Sequence, residues 1–207
     1  LFELADRYDF VIVSDECYSE IYGEDNAPPL GALTAARQLG RDDYRRLVVF
    51  SSLSKRSNVP GLRSGFVAGD AAVLKKFLLY RTYHGSAMNP AVQVASIAAW
   101  SDESHVQDNR RQYAEKFAAV TPLIARHLPC AIPDAGFYLW AKTPMADTEF
   151  ARLLLQQKNV AVLPGSYLGR VADGVNPGEN FVRLALVTSL EDCLEAAHRI
   201  NDFCLSL

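Results

Sequence analysis

The residues with most chemistry to offer cluster between Ser51 and Arg63. Three serines, Ser51, Ser52 and Ser54, crowd one lysine, Lys55, and Arg63 follows eight residues later. A lysine amine can bond a carbonyl carbon as a Schiff base. An arginine fork binds phosphate bidentately, which a lysine cannot do. Two cations at this spacing, with hydroxyls beside the first, suit a phosphorylated aldehyde: Lys55 for the carbonyl, Ser52 and Arg63 for the phosphate. The same residues also read as an ordinary solvated turn, because a lysine after a strand and a Ser-rich turn are both common.

An aldehyde carried on a pyridine ring makes further demands. Its ring nitrogen needs a buried carboxylate if the ring is to draw electrons. Asp15 stands at the end of an apolar run and fits that place; the competing reading is an Asp that caps its own loop. A phenolic ring oxygen wants a hydrogen-bond donor, and Tyr18 lies three residues on. An amino-acid substrate brings a carboxylate that wants an arginine. Arg183 is the candidate, set inside Phe181-Val182-Arg183-Leu184-Ala185-Leu186. The alternative is an arginine alternating outward on a half-exposed strand.

Positioning these groups takes strands that end beside one another. Leu47-Val48-Val49-Phe50 and Gly65-Phe66-Val67-Ala68 read as strands on either side of the lysine turn, joined through Pro60-Gly61. Residues 9–14 form a continuous apolar run of the kind covered on both faces in a parallel sheet, and acids at such a strand's C-terminal end sit where α/β folds bind ligands. Leu1 to Tyr8 reads as a helix end. Residues 23–46 read as a loop with a short helix. Asp70 caps a helix with Val73, Leu74, Phe77 and Leu78 at helical spacing, closed near Gly85. Asn89-Pro90 opens another, rich in Ala and Val and expected to be buried. A polar helix from Asp102 to about His127, ended by Pro129, reads as a connector. Beyond Ala131 the expectation is a small α+β domain. It has strands at 137–140, 160–163 and 181–187, a helix at 149–157, and a last helix opened by a capping box, Ser189-Leu190-Glu191-Asp192.

Composition narrows the function classes. The chain has 207 residues, 49% of them hydrophobic, and a formal net charge of -3. That is enough for a sizeable core, and the scattered charge argues against nucleic acid or an anionic membrane as partner. No apolar run approaches the roughly 20 residues of a membrane span. Cys17, Cys130, Cys193 and Cys204 show no CxxC spacing, which points to free thiols, no metal site and a reducing, cytoplasmic setting. The start in mid-helix without a methionine suggests the C-terminal part of a longer protein.

Taken together, DExY after an apolar strand, SxSK with an arginine eight residues beyond the lysine in a GxRxG frame, and a late strand arginine resemble the fold-type I aminotransferases in kind and order. The resemblance runs over essentially all 207 residues. It implies an α/β fold: residues 1–128 as part of a three-layer α/β/α large domain with a mostly parallel sheet, and 129–207 as a small α+β domain. It implies pyridoxal 5'-phosphate, with Asp15 on the pyridine nitrogen and Tyr18 on the ring oxygen. Ser52, Ser54 and Arg63 fall to the phosphate, Lys55 to the reactive amine and proton shuttle, and Arg183 to the substrate carboxylate. It also implies a homodimer, and a preceding half of the chain that carries further cofactor contacts.

Closer wording, in SLSKRSNVPGLRSGFVAGD, YRTYHGSAMNPAVQVASIAAW, GFYLWAKT and LPGSYLGR, is similar to the bacterial N-succinyldiaminopimelate aminotransferases. That implies amino transfer between N-succinyl-LL-diaminopimelate and 2-oxoglutarate in lysine biosynthesis. Arg81 and His84 become candidates for a distal carboxylate, against the reading of cations decorating a helix end. Three alternatives stay open: another aminotransferase of the class, a β-lyase using the same cofactor, and the aminotransferase-like sensor domain of a transcription regulator.

Overall fold

The computed structural model describes residues 1–23, 28–85 and 87–207. The chain forms two compact units, Leu1–Arg110 and Arg111–Leu207. The division falls inside the long helix, whereas the sequence reading draws its boundary after that helix, between 128 and 129.

In the first unit, helix α1 (Phe2–Tyr8) ends on Asp9 in a left-handed conformation, and strand β1 (Ile12–Asp15) follows. Helix α2 (Ala32–Gln38) lies in the expected loop, of which residues 24–27 are outside the described residues. Strand β2 (Leu47–Ser52) is central. It pairs in parallel with β1, Ile12 opposite Leu47 and Asp15 opposite Phe50. On its other edge it pairs antiparallel with β3 (Gly65–Gly69), Ser52 opposite Gly65. Ala36, Leu47 and Val49 form one core cluster, with Phe2, Ile12, Leu33 and Tyr44 against them. Between β2 and β3 run the four-residue helix α3 (Leu53–Arg56) and a 3₁₀ turn, Pro60–Leu62.

The fold is α/β as expected, with a sheet that is mixed in this chain. Two burial expectations are corrected, and the apolar stripe of a third element is only partly covered. The first strand is not covered on both faces: it alternates, and Val13 is 64% exposed. Helix α4 (Ala71–Tyr83) is capped by Asp70 and half-buries Val73, Leu74 and Phe77, but Leu78 lies out at 70% exposure. Helix α5 (Pro90–Ser101), capped by Asn89, buries only Ser96 among its residues, with Val94 and Ile97 68–69% exposed. The reason is common to all three. Apolar side chains leave water only where another element packs on them, and among the described residues of this unit no element covers those faces.

Helix α6 (Ser104–Ile124) passes from the first unit into the second. It stops about one turn short of the expected end. Pro122 lies inside its last turn and has no N–H to give the carbonyl four residues back. In the second unit, β4 (Tyr138–Lys142) and β5 (Leu163–Pro164) flank β6 (Phe181–Ala185), all antiparallel. The expected strand at 160–163 shrinks to two residues ending on Pro164, which has no N–H for a longer ladder. Helices α7 (Asp147–Lys158) and α8 (Leu190–Cys204) complete the unit. Ser189 accepts the Asp192 N–H at 3.1 Å, and its hydroxyl donates back to the Asp192 carboxylate at 2.8 Å. Leu139, Ala141, Val182 and Leu184 from the strands meet Phe150, Leu154, Ala197, Ile200 and Phe203 from the helices in one closed core.

Candidate active site

Lys55 is placed by a strand that turns into a helix within one residue. Ser52 ends β2 in extended conformation and caps α3, its hydroxyl oxygen accepting the Ser54 N–H. The single turn that follows carries Lys55 on its third residue, half-buried. Leu53 is fully buried and anchors the turn from below, its N–H bonded to the Ser64 carbonyl at 3.1 Å. The 3₁₀ turn then ends on Arg63 in left-handed conformation, φ 52 and ψ 38. A non-glycine residue there is uncommon and marks a backbone held by its surroundings. Arg63 Nη1 donates to the Pro60 carbonyl at 2.9 Å. Gly65 has to be glycine, because a Cβ would meet the Ser51 carbonyl oxygen at 2.5 Å where β3 starts against β2.

Asp15 and Tyr18 arrive from the neighbouring strand. Asp15 Oδ1 accepts the Cys17 N–H at 3.1 Å, so the loop-capping reading of this residue is met. The carboxyl group nevertheless lines the same cavity as Lys55. It is exposed in this chain, so the burial that a ring-nitrogen partner needs is not supplied by the described residues alone. Tyr18 lies in the turn after it, its ring centroid 6.0 Å from Lys55 Nζ. Cys17 lies between, and Ser52 donates its hydroxyl hydrogen to Cys17 Sγ at 3.3 Å. Burial pushes the Cys17 thiol up, with the Ser52 hydrogen bond pulling the other way. Glu16, the acid next to Asp15, is structural: its Oε1 accepts the Ala32 N–H at 2.7 Å and caps α2.

These groups line one cavity of about 580 Å³, within the range of small-molecule sites. Asp15, Tyr18, Ser52, Ser54, Lys55 and Arg63 all contribute to its wall, with Phe50, Phe66 and Phe77 as apolar lining. Two cations, two hydroxyls, a carboxylate and a phenol around one cavity fit a phosphorylated pyridine aldehyde. Arg81 lines the cavity as well. His84 does not: its ring packs on Tyr80 with centroids 4.8 Å apart. Ser86 of the same segment is outside the described residues.

Several positioning residues carry no signal in the sequence. Arg56, only 4% exposed, follows Lys55 and looks from the sequence like a second surface cation. It pairs with Glu103, donates to the Ala99 carbonyl at 2.8 Å and lies over Trp100. Ser64, beside Arg63, is buried, its Oγ 2.7 Å from that of Ser96 in α5, whose own hydroxyl hydrogen goes to the Val92 carbonyl at 2.6 Å. Partners more than thirty residues away cannot be read from spacing.

Arg183 belongs to the second unit, at the middle of the central strand β6, opposite Trp140 and Leu163. Val182 and Leu184 beside it face the core, so Arg183 stands half-buried on the other face, its guanidinium 4.3 Å over the Tyr138 ring. The outward-alternating reading describes its place, and Trp140 stacked on Phe181 shares that face.

Among the described residues no group of three or more His, Cys, Asp or Glu is arranged to hold a metal ion, and no helix is long and apolar enough to cross a membrane. The four cysteines are free thiols.

The chain is similar to an aminotransferase of Neisseria meningitidis, with 58% identity and a TM-score of 0.92 over 98% of this chain and 51% of that one. It is 30% identical to an LL-diaminopimelate aminotransferase of Maridesulfovibrio salexigens over 95% of its length. A probable N-succinyldiaminopimelate aminotransferase of Thermus thermophilus shares 28% identity and a TM-score of 0.79 over 97% of the chain and 52% of its own. The chain spans about half the length of the relatives it matches. The family model for aminotransferases of class I and II matches residues 1–200. On that extent of match, this chain belongs to the class I and II aminotransferases, enzymes that work with pyridoxal 5'-phosphate.

Proposed function

We propose that the protein transfers an amino group from a diaminopimelate-type donor, N-succinyl-LL-diaminopimelate in the first place, to 2-oxoglutarate. The observation that carries the reading is the convergence of Lys55, Arg63, Ser52, Ser54, Asp15 and Tyr18 on one cavity from three strand ends. Relatives named as LL-diaminopimelate aminotransferase and as probable N-succinyldiaminopimelate aminotransferase support this substrate class, although others are named for glutamate and pyruvate or for aspartate.

In this reading each side chain has one task. Arg63 and the hydroxyls of Ser52 and Ser54 hold the phosphate, with the guanidinium supplying charge and direction. The Asp15 carboxylate keeps a proton on the ring nitrogen, and the Tyr18 hydroxyl donates to the ring oxygen. Pyridoxal phosphate, when bound, supplies an electron sink for the charge left at the substrate Cα. Lys55 would hold the cofactor's aldehyde group, and its amine, when free, would move the proton at the substrate Cα. Arg183 takes the donor's α-carboxylate, and the whole enzyme works as a homodimer.

The test is a donor panel with 2-oxoglutarate as acceptor, read as glutamate formed. N-succinyl-LL-diaminopimelate should lead, and Lys55→Ala should lose about 10²- to 10⁴-fold in turnover, the scale of a removed acid–base group. Pyruvate and ammonia released in place of glutamate would make the enzyme a lyase. Near-normal turnover by Lys55→Ala would end the assignment.

A further inference from the structure

Two loops carry Lys55 and Tyr18, and both are tied to the same short stretch of α6. On the lysine side, Asn109 Nδ2 donates to the backbone carbonyl of Lys55 itself at 3.3 Å. His105 Nε2 meets Ser57 Oγ at 2.8 Å, and Ser57 is the C-cap of α3, its N–H bonded to the Leu53 carbonyl at 3.1 Å. On the tyrosine side, Arg110 donates from Nε to the Glu20 carbonyl and from Nη2 to the Glu20 carboxylate, each at 3.1 Å, and covers the Tyr22 ring at 3.9 Å. His105 and Asn109 are four residues apart and so share one face of the helix, with Arg110 next to it.

His105 is itself held. Its Nδ1 faces the Asp102 carboxylate, which can only accept, so Nδ1 carries the hydrogen. Nε2 is then left for Ser57, accepting the hydroxyl hydrogen when the ring is neutral and donating when it is charged. The bond survives in either state. The ring of His105, followed by the Ser104 hydroxyl and the His105 N–H, holds the Asp102 carboxyl well below the usual carboxylate range. The row Ser57–His105–Asp102 has the order of a hydrolase triad, but its ends are spent on structure. Asp102 accepts the Ser104 and His105 N–H groups at the start of α6, and Ser57 closes α3.

We propose that the first turns of α6 are a clamp that sets where the Lys55 amine stands, with His105 and Asn109 as positioning residues and Arg110 tying the Tyr18 loop to the same base. The proposal rests on Lys55 being the reactive amine. Misplacing a reacting atom by about 1 Å costs on the order of 100-fold in rate, while the phosphate contacts of Ser52 and Arg63 do not involve the clamp.

Two readouts on the chain test it. The first is the rate at which added pyridoxal phosphate becomes trapped on Lys55 by borohydride, followed by peptide mass. The second is hydrogen exchange at the Ser57 amide. His105→Ala and Asn109→Ala should each slow trapping about 10- to 100-fold. His105→Ala should also speed Ser57 exchange. His105→Gln, whose amide reaches the place of Nε2, should restore both to within about threefold, which a folding defect would not allow. Trapping unchanged in His105→Ala, whatever the exchange does, overturns the proposal. If the wild type traps nothing on Lys55, the proposed function falls. Ser57 exchange then decides the clamp alone: faster in His105→Ala supports it, unchanged overturns it.

Discussion

The two units spend their apolar residues differently. In the second, a three-stranded antiparallel sheet puts Leu139, Ala141, Val182 and Leu184 on one face, and α7 and α8 cover that face with Phe150, Leu154, Ile200 and Phe203, every one at most 7% exposed. In the first, three strands of similar length are covered on one side by Phe2, Leu33 and Ala36, while Val13, Leu78, Val94 and Ile97 stay in water. The polar economy differs too. Asp147 of the second unit is buried and accepts the Ser166 and Asn180 N–H groups. In the first unit Asp15 and the hydroxyls of Ser52 and Ser54 line an open cavity. A closed core gives a scaffold, and an incompletely covered sheet end gives groups that can still meet a ligand. The relatives carry as much chain again as the part matched here, which fits apolar faces left open in the first unit.

That contrast can be broken by substitution. The largest expected effect on stability is Phe150→Ala. Its ring is fully buried and edge-on to Phe203 at 5.2 Å, and truncation should cost about 3–5 kcal/mol in urea unfolding of the second unit. A cost under about 1 kcal/mol would mean that this core is not closed. Asp147 sharpens the comparison through pH. Burial alone would push its carboxyl up, but the Ser166 hydroxyl and the Ser166 and Asn180 N–H groups together hold it below its ordinary value. A carboxyl lower in the folded than the unfolded state stabilises above the unfolded value, and that contribution is lost as pH falls through the folded one. The gap in stability between wild type and Asp147→Asn should therefore be full at neutral pH and shrink as pH drops below about 4. A gap independent of pH would contradict it. Asp70→Ala removes a cap that accepts the Ala72 N–H at 2.8 Å and should cost about 1 kcal/mol, read in the same unfolding experiment. The smallest effect is Ile97→Lys, expected within about 0.5 kcal/mol because that side chain already stands in water. A loss of 2 kcal/mol or more would show that something covers α5 in solution.

The features legible in the sequence were local ones. Pro60-Gly61, Asn89-Pro90, the Asp70 cap and the Ser189–Asp192 box fix their own backbone within a few residues, and each lies where the pattern puts it. The six cavity residues were legible because their types and spacing state a chemistry. Burial was not legible for α5: an Ala- and Val-rich helix reads as buried whatever its neighbours, and only the set of packed elements decides. The contacts that hold the lysine turn are equally silent, since Arg56–Glu103, Ser57–His105 and Lys55–Asn109 join residues 47, 48 and 54 positions apart with no motif to announce them.

The central claim is that Lys55 is the amine that bonds the cofactor. Its most direct test is the absorption spectrum of the chain with pyridoxal phosphate before and after borohydride, followed by peptide mass. The account predicts one pyridoxyl phosphate group fixed on the peptide that carries Lys55, and none in Lys55→Ala. A chain of unchanged mass, or label spread over Lys75 and Lys76 with Lys55 bare, would contradict it.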